Sequence, residues 1–436
     1  MSKKTMLIVG PLSSRSGYGD HARDIFHSFY NLDKYEIKVF DVRWGSCPRN
    51  ALNENNPKDK LILDRLSKEH KLNNQPDICV DVRIPNEFTP IGKYNIGITA
   101  GIETNAVSQA FLEGCNRMDL ILVPSEHAKM GFTNSKYDKL QQMPDGKQQK
   151  VGELKLEKPI EVLFEGEDLD IWKPLLKSDN NLMKDTLSKI DSDFIFLHVG
   201  LWGSGGYGED RKDIGKLVKV FLETFAGCEQ NCPALLLKTN GATYSIGDKE
   251  NTLKRIRDIK NKFPSNIPLP EIYLLHGSLD EEEMNALYNH PKVKSFVSFT
   301  HGEGFGRPML EATLTGLPVI ASNWSGQVDF LDKKHSVLID GSFEQVPKSQ
   351  VWKNIVIPES QWFVIDERKA SESLKFVYEN YLSVSNQAKE LMKINREKFS
   401  HDSMTKLLGY IIDNHYKDAP KQVEFKLPKL EAVGVE

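Results

Sequence analysis

Short apolar runs alternate along the chain with helix-period patterns, the arrangement expected of parallel sheets covered by helices. In the first half, Met6–Val9, Glu36–Phe40, Ile78–Val82, Tyr94–Thr99, Leu120–Val123 and Glu161–Phe164 read as buried strands. Between the first two, Ala22, Ile25, Phe26, Phe29 and Tyr30 recur at helical spacing and define one face. The polar stretches 41–76 and 134–158 show little periodicity and read as insertions or long loops. Near Glu165–Pro174, acidic residues, a glycine and a proline cluster as in a hinge. A second strand series follows at Phe194–Val199, Leu235–Lys238, Ile272–Leu275, Ser295–Phe299 and Pro318–Ala321. Helices fit between these strands, with Ile214, Leu217, Val218, Phe221, Leu222 and Phe225 on one face, and Met284, Leu287 and Tyr288 on another. The pattern is helical from 368 to 416.

The expected architecture is α/β, with two doubly wound Rossmann-like domains facing across a cleft. Residues 1–165 form the first, 166–174 the linker and 175–399 the second; a helix at about 400–420 packs back on the first, and 421–436 is a loose tail. A length of 436 residues suits two such domains, and 39% apolar residues suffice for their cores. No apolar run approaches a membrane span, and the run before Pro11 is too short for a signal-peptide core. A cytoplasmic protein without a membrane anchor is expected. Five cysteines, an odd number, point to reduced thiols, and the Cys228–Cys232 pair has no partner pair at zinc-ligand spacing. Residues 1–160 carry a charge of +3 and the remainder −7, far from the signature of a dedicated nucleic-acid binder.

The densest chemical signal is Ser298–Ile320, SFTHGEGFGRPMLEATLTGLPVI. A strand ends at Thr300, glycines 302, 304 and 306 alternate with Glu303 and Phe305, and Pro308 opens a helix carrying Glu311. Glycines before a helix N-terminus let backbone N–H groups approach an anion. A carboxylate suits a pair of neighbouring hydroxyls, as on a sugar or a ribose. Together these features describe a site for a nucleotide sugar.

Glu303-x7-Glu311, with EGFG and EATLTGLPVIAS, resembles the family-four group of retaining GT-B glycosyltransferases. So do Gly200–Leu201 followed by Arg211–Lys212–Asp213 opening a helix, the strand LLLKT ending near Lys238, and LHGSL around Ser278. The resemblance implies that Arg211 and Lys212 neutralise the diphosphate leaving group and that Glu303 holds donor-sugar hydroxyls. It also implies that Gly304, Phe305 and Gly306 approach sugar and phosphate, that Glu311 grips the ribose, and that Lys238 and Ser278 lie on the donor. It implies no divalent metal and no cofactor, the nucleotide-diphosphate sugar being a substrate with UDP-glucose as default. Asp168-x-Asp170, a possible metal motif in form, reads as structural because it lies in the linker.

In the first domain, Gly17-Tyr18-Gly19 before a helix, with Asp41 after the next strand, superficially matches a dinucleotide fingerprint. An NAD-dependent oxidoreductase is therefore the rival reading, but Gly17 stands seven residues beyond the strand-ending Gly10, where the fingerprint wants its first glycine. The loop is instead similar to the one lying against donor phosphates or acceptor in GT-B enzymes. Many enzymes of the group have a histidine close to the donor sugar where this chain has Glu103, in GIET; either Glu103 takes that catalytic place or the role is absent, and His127 reads as a capping or packing residue. The stretch 94–132, with IPNEF before it, is similar to tailed-phage glycosyltransferases, which implies a phage protein in a host cytoplasm and either glycans or hydroxymethylated pyrimidines of viral DNA as acceptor. Candidate DNA-phosphate contacts are Arg43, Arg49, Lys136, Lys139, Lys147, Lys150, Lys155 and Lys158. A non-catalytic nucleotide-sugar-binding module is a third reading.

Overall fold

A computed structural model of the chain describes residues 3–67, 69, 71–143, 148–176, 183–241 and 243–416. The tail 421–436 and Lys147 lie outside the described residues. The first domain comprises β1 (Lys4–Gly10), α1 (Gly17–Asn31), β2 (Tyr35–Asp41), α2 (Pro57–Leu63), β3 (Ile78–Val82), β4 (Tyr94–Ile98), α3 (Gln109–Asn116), β5 (Leu120–Val123), α4 (Glu126–Asn134), β6 (Tyr137–Gln142), β7 (Gln148–Leu154) and β8 (Ile160–Val162). Its parallel sheet has the order β2-β1-β3-β4-β5-β8. The second domain comprises α5 (Lys184–Leu187), β9 (Ile195–Leu201), α6 (Ile214–Phe225), β10 (Ala234–Asn240), α7 (Ile246–Lys260), β11 (Ile272–Leu274), α8 (Glu281–Tyr288), β12 (Val293–Ser298), α9 (Arg307–Leu314), β13 (Val319–Ser322), β14 (Val337–Ile339), β15 (Gly341–Gln345), β16 (Gln361–Ile365), α10 (Glu367–Glu379) and α11 (Tyr381–Lys398), and the chain then returns to the first domain as α12 (His401–His415). Its sheet runs β11-β10-β9-β12-β13-β14, again parallel.

Both sheets are buried on both faces, which is why their strands read as continuous apolar runs. β3 and β4 are buried at every position, as is β10, including Lys238. Three departures from the sequence pattern matter. The excursion 134–158 contains the antiparallel hairpin β6–β7, whose residues are almost all exposed and so carry no apolar period. A second antiparallel hairpin, β15–β16, brackets a long loop and forms a strap across the second domain. Cys228 and Cys232 form a disulfide, overturning the expectation of reduced thiols for this pair, whereas Cys47, Cys79 and Cys115 are free. The turn following α6, with positive φ at Gly227 and Asn231, brings the two Cα atoms to 5.7 Å.

The chain crosses between the domains twice. It leaves the first after β8 and returns at Phe399–His401, where Glu167 N donates to Phe399 O and His401 N donates to Glu167 O, both at 2.9 Å. α12 then packs on α1, with Met404, Leu408, Ile411 and Ile412 completing the apolar core around Ile25, Phe26 and Phe29. Asp168 turns the outgoing segment: its carbonyl accepts from Ile171 and Trp172, its carboxylate accepts from Asp170 N at 3.0 Å, and it pairs with Lys58. Among the described residues no helix is long and apolar enough to cross a membrane.

Candidate active site

The carboxyl ends of both sheets face one another, and the loops they carry touch. After β12, Thr300 Oγ1 donates to Gly302 O and Ser322 Oγ donates to Thr300 O, shaping the turn that presents Glu303. Glu303 N donates to Ser325 Oγ at 2.9 Å, and its side chain is buried. Burial raises a carboxyl pKa, but Arg211 and Lys212 outweigh it here and hold Glu303 down at about 2. Arg211 Nη1 lies 2.9 Å from one Glu303 oxygen and Lys212 Nζ 2.6 Å from the other. Arg211 also donates to Gly302 O, and Glu103 approaches its Nε at 3.6 Å from the first domain. Glu303, Arg211, Lys212 and Glu103, from two domains, thus form one ionic cluster.

Arg211 and Lys212 do not lie in a helix. Asp213, at φ +49°, is the N-cap and α6 begins at Ile214, so the pair projects from the loop before the dipole's positive end. Burial pushes the Lys212 ammonium down, opposed by Glu303. His301, missed in the sequence, ties this loop to the strap. Its backbone N donates to Arg211 O at 2.8 Å, and its ring stacks on Trp362 with centroids 4.1 Å apart. Its Nδ1 donates to Phe363 O at 2.7 Å, while Nε2 sits 3.3 Å from Gly208 O. The strap also holds the first domain, through Asn105 N to Gln361 O at 2.9 Å and Ser108 Oγ to Asn354 O at 2.7 Å.

The glycines of the Glu303 loop make room for backbone. A Cβ on Gly302 would collide with Glu103 O, and one on Gly304 with Ala100 O. Gly304 O accepts from Ser125 Oγ at 2.6 Å, again across the domains. Gly306, at φ +107°, is the α9 N-cap in the left-handed region that glycine tolerates. The Phe305 side chain is core, packed against Phe330 and Phe399.

Glu311 lies in the second turn of α9. Its Oε2 accepts from Tyr288 OH at 2.9 Å, and burial pushes its carboxyl up to about 7, with Arg307 opposing. Arg307 is the second residue that the sequence reading missed. It pairs with Asp24 of α1 at 2.5 Å, Glu167 of the hinge at 3.1 Å and Glu165 at 3.8 Å. Burial raises Glu165 to about 7 despite Arg307.

Of the donor candidates, Lys238 donates to Gly277 O at 2.7 Å, and burial lowers its pKa. Ser278 Oγ lies 3.5 Å from Arg15 across the cleft. Gly17 and Gly19 open α1 behind the N-cap Ser16; Gly19 leaves no room for a Cβ beside Ser14 O, whereas Gly17 is open. The Tyr18 hydroxyl bonds to Thr99 Oγ1 at 2.9 Å and accepts from Ala100 N at 3.1 Å. His127 Nε2 lies 3.1 Å from Ile102 O, and the ring meets the Trp324 edge of the other domain; burial lowers its pKa to about 4. Among the basic candidates, Lys150 of the β6–β7 hairpin is paired with Asp138. Among the described residues no group of three or more His, Cys, Asp or Glu side chains is placed to hold a metal ion.

Two six-stranded parallel sheets whose carboxyl ends face each other across a hinge define the GT-B fold. Solved structures share it over nearly the whole chain. One is Anabaena Alr3699/HepE in complex with UDP-glucose, with TM-score 0.60, 13% identity, and coverage of 94% of this chain and 100% of that one. Another is sucrose-phosphate synthase from Thermosynechococcus elongatus, with TM-score 0.56, 13% identity, and coverage of 95% and 100%. A third is the UDP-forming trehalose-phosphate synthase from Burkholderia xenovorans in complex with glucose-6-phosphate, with TM-score 0.57, 12% identity, and coverage of 95% and 99%. No protein-family model matches the chain, and no curated protein matches it in sequence.

Proposed function

We propose that the protein is a retaining glycosyltransferase that moves a hexose from a nucleotide-diphosphate sugar, by default UDP-glucose, to an acceptor hydroxyl. The favoured acceptor is a 5-hydroxymethylated pyrimidine of viral DNA. The observation that carries the reading is the buried Glu303 carboxylate held between Arg211 and Lys212 where the two sheets meet. The likeness of the fold to a UDP-glucose-bound structure supports the donor class. The resemblance of residues 94–132 to tailed-phage enzymes supports the acceptor.

In this reading Arg211 and Lys212 exchange one carboxylate for the donor diphosphate. Their charge stabilises the leaving group as the bond from the anomeric carbon to phosphate oxygen breaks and the bond to the acceptor oxygen forms. The acceptor proton leaves with a phosphate oxygen, so no protein atom need be covalently modified. Glu303, released from the cations, accepts from sugar hydroxyls, and Glu311 with Tyr288 accepts from the ribose. Closure of the domains around the donor belongs to the same proposal.

The test is mass spectrometry of nucleosides from 5-hydroxymethylcytosine DNA incubated with the protein and pooled nucleotide sugars. A hexose-sized gain on the modified base is expected. Nucleoside diphosphate release without that gain would move the acceptor to a glycan. Neither product would sink the catalytic reading and leave a binding module.

A further inference from the structure

The loops after β1 and β2 lock into one ledge at the mouth of the cleft. Arg15 N donates to Pro48 O at 2.9 Å, Ala51 N to Ser13 O at 3.1 Å, and Ser13 N to Asp41 Oδ1 at 2.9 Å. The Arg15 guanidinium is steadied by Asn50, with Nε 2.9 Å from the side-chain oxygen and Nη2 3.3 Å from the carbonyl. Its remaining nitrogen reaches Ser278 on the opposite domain, which places the ledge at the cleft and not on the outer surface. Trp44 stacks on Tyr18 with centroids 4.1 Å apart. The Tyr18 hydroxyl is fixed to Thr99 and Ala100, the strand end against which Gly304 rests. One ring therefore separates Trp44 from the wall that faces the Glu303 loop.

The charge of this ledge is one-sided. Residues 42–51 contain Arg43 and Arg49 and no acid. The adjoining Asp41 is buried and already taken by Arg49, at 2.5 Å, and by Ser13 N. Arg15 and Arg43 are exposed, and among the described residues Arg43 has no ionic or hydrogen-bonded partner. Donor diphosphate has its own cations in Arg211 and Lys212, beneath the Glu303 loop. Two exposed guanidiniums and a half-buried indole carried on the same ledge suit a second anion attached to a flat or ring-shaped unit.

We propose that Arg15, Arg43 and Trp44 form the acceptor subsite for a phosphate-bearing acceptor. The guanidiniums pair with phosphate, and the indole stacks on the ring of the unit that presents the hydroxyl. This rests on the glycosyl-transfer reading above and adds the chemical class of the acceptor. A nucleic-acid phosphodiester and a hexose phosphate share that chemistry.

Binding separates the sources without requiring turnover. The probes are a labelled duplex containing 5-hydroxymethylcytosine, followed by fluorescence anisotropy, and glucose 6-phosphate with glucose as the uncharged control, followed by calorimetry. UDP is titrated on every variant. The parent should bind one of the two phosphate-bearing probes, more weakly as salt rises. Trp44→Ala and the double change Arg15→Ala/Arg43→Ala should each weaken that probe at least tenfold more than they weaken UDP. Trp44→Phe, which keeps a ring and so guards against loss of folding, should stay within threefold of the parent. Glucose binding as tightly as glucose 6-phosphate, equal loss of probe and UDP, or UDP binding with no binding of either probe would each overturn the subsite. If the parent does not bind UDP, the donor reading itself fails and the subsite falls with it.

Discussion

Lys212 Nζ lies 2.6 Å from a carboxylate oxygen of Glu303, 91 residues away in the chain, and Arg211 takes the other oxygen at 2.9 Å. The buried Glu303 carboxylate is thus held by the two cations assigned to the leaving group. Glu303→Gln keeps the shape and removes the charge. Turnover of UDP-glucose is expected to fall by roughly a hundredfold or more, while UDP, measured by calorimetry, still binds. Equal loss of both would show that Glu303 only maintains the loop.

Glu165 gives a prediction of the opposite sign to ordinary carboxylates. Its folded-state pKa is about 7 against an ordinary 4.5, because burial outweighs Arg307. The native state therefore holds this proton more tightly than the unfolded chain does. Its contribution is complete below pH 4.5 and is lost as pH rises through 7, amounting to at most about 3 kcal/mol at about 1.4 kcal/mol per unit. Melting temperature should decline across that window, and Glu165→Gln should flatten the decline. An unchanged slope in the variant would assign it to other groups.

Arg307 joins the second domain to α1 and to the hinge at once. Arg307→Met removes the cation but leaves Asp24, Glu165 and Glu167 facing one another. A loss of about 3–5 kcal/mol in urea unfolding is expected, since a buried pair broken on one side leaves an uncompensated charge. Adding Asp24→Asn to that variant should recover part of the loss. If the double variant is no more stable than the single one, the pair does not couple the domains.

Gly304→Ala introduces a methyl group where Ala100 O already lies. Flexible side chains could yield, but this neighbour is backbone, so the two domains must part locally. Small-angle scattering should report a larger radius of gyration than for the parent. Destabilisation of about 1–3 kcal/mol should accompany it. An unchanged scattering curve would mean that the loop itself absorbs the methyl group.

His301 ties the strap to the loop of Arg211 and Lys212 through its ring contacts with Trp362, Phe363 and Gly208. His301→Ala should speed amide hydrogen exchange in both 203–210 and 348–363, because each segment loses the same anchor. Faster exchange in only one of them would break the proposed connection.

Much of this was legible in the chain. Parallel strands buried on both faces announce themselves as apolar runs, and Ile8, Val80, Ile96, Leu236 and Phe296 are all core residues in the positions their runs implied. Glu303 stood out because a carboxylate among glycines has no packing role. The strap did not stand out: every residue of β15 is exposed, so nothing in its sequence alternates. Arg307 was invisible for another reason. Its partners Asp24 and Glu167 come from α1 and the hinge, and only the fold makes them neighbours. His301 was equally hidden, since its value lies in a stack with Trp362, which pairs on a different strand.

The return of α12 to the first domain has a consequence for how the polypeptide is made. Residues of α1 leave the ribosome before the second domain does, yet the apolar face they share with Met404, Leu408 and Ile412 is covered only once α12 has followed that domain. Of these two domains, the earlier to emerge is therefore the later to be completed. During translation it carries an unfinished surface past the folding of its neighbour. Cutting the chain at the hinge would not yield two independent halves, because the earlier half would lack its final helix.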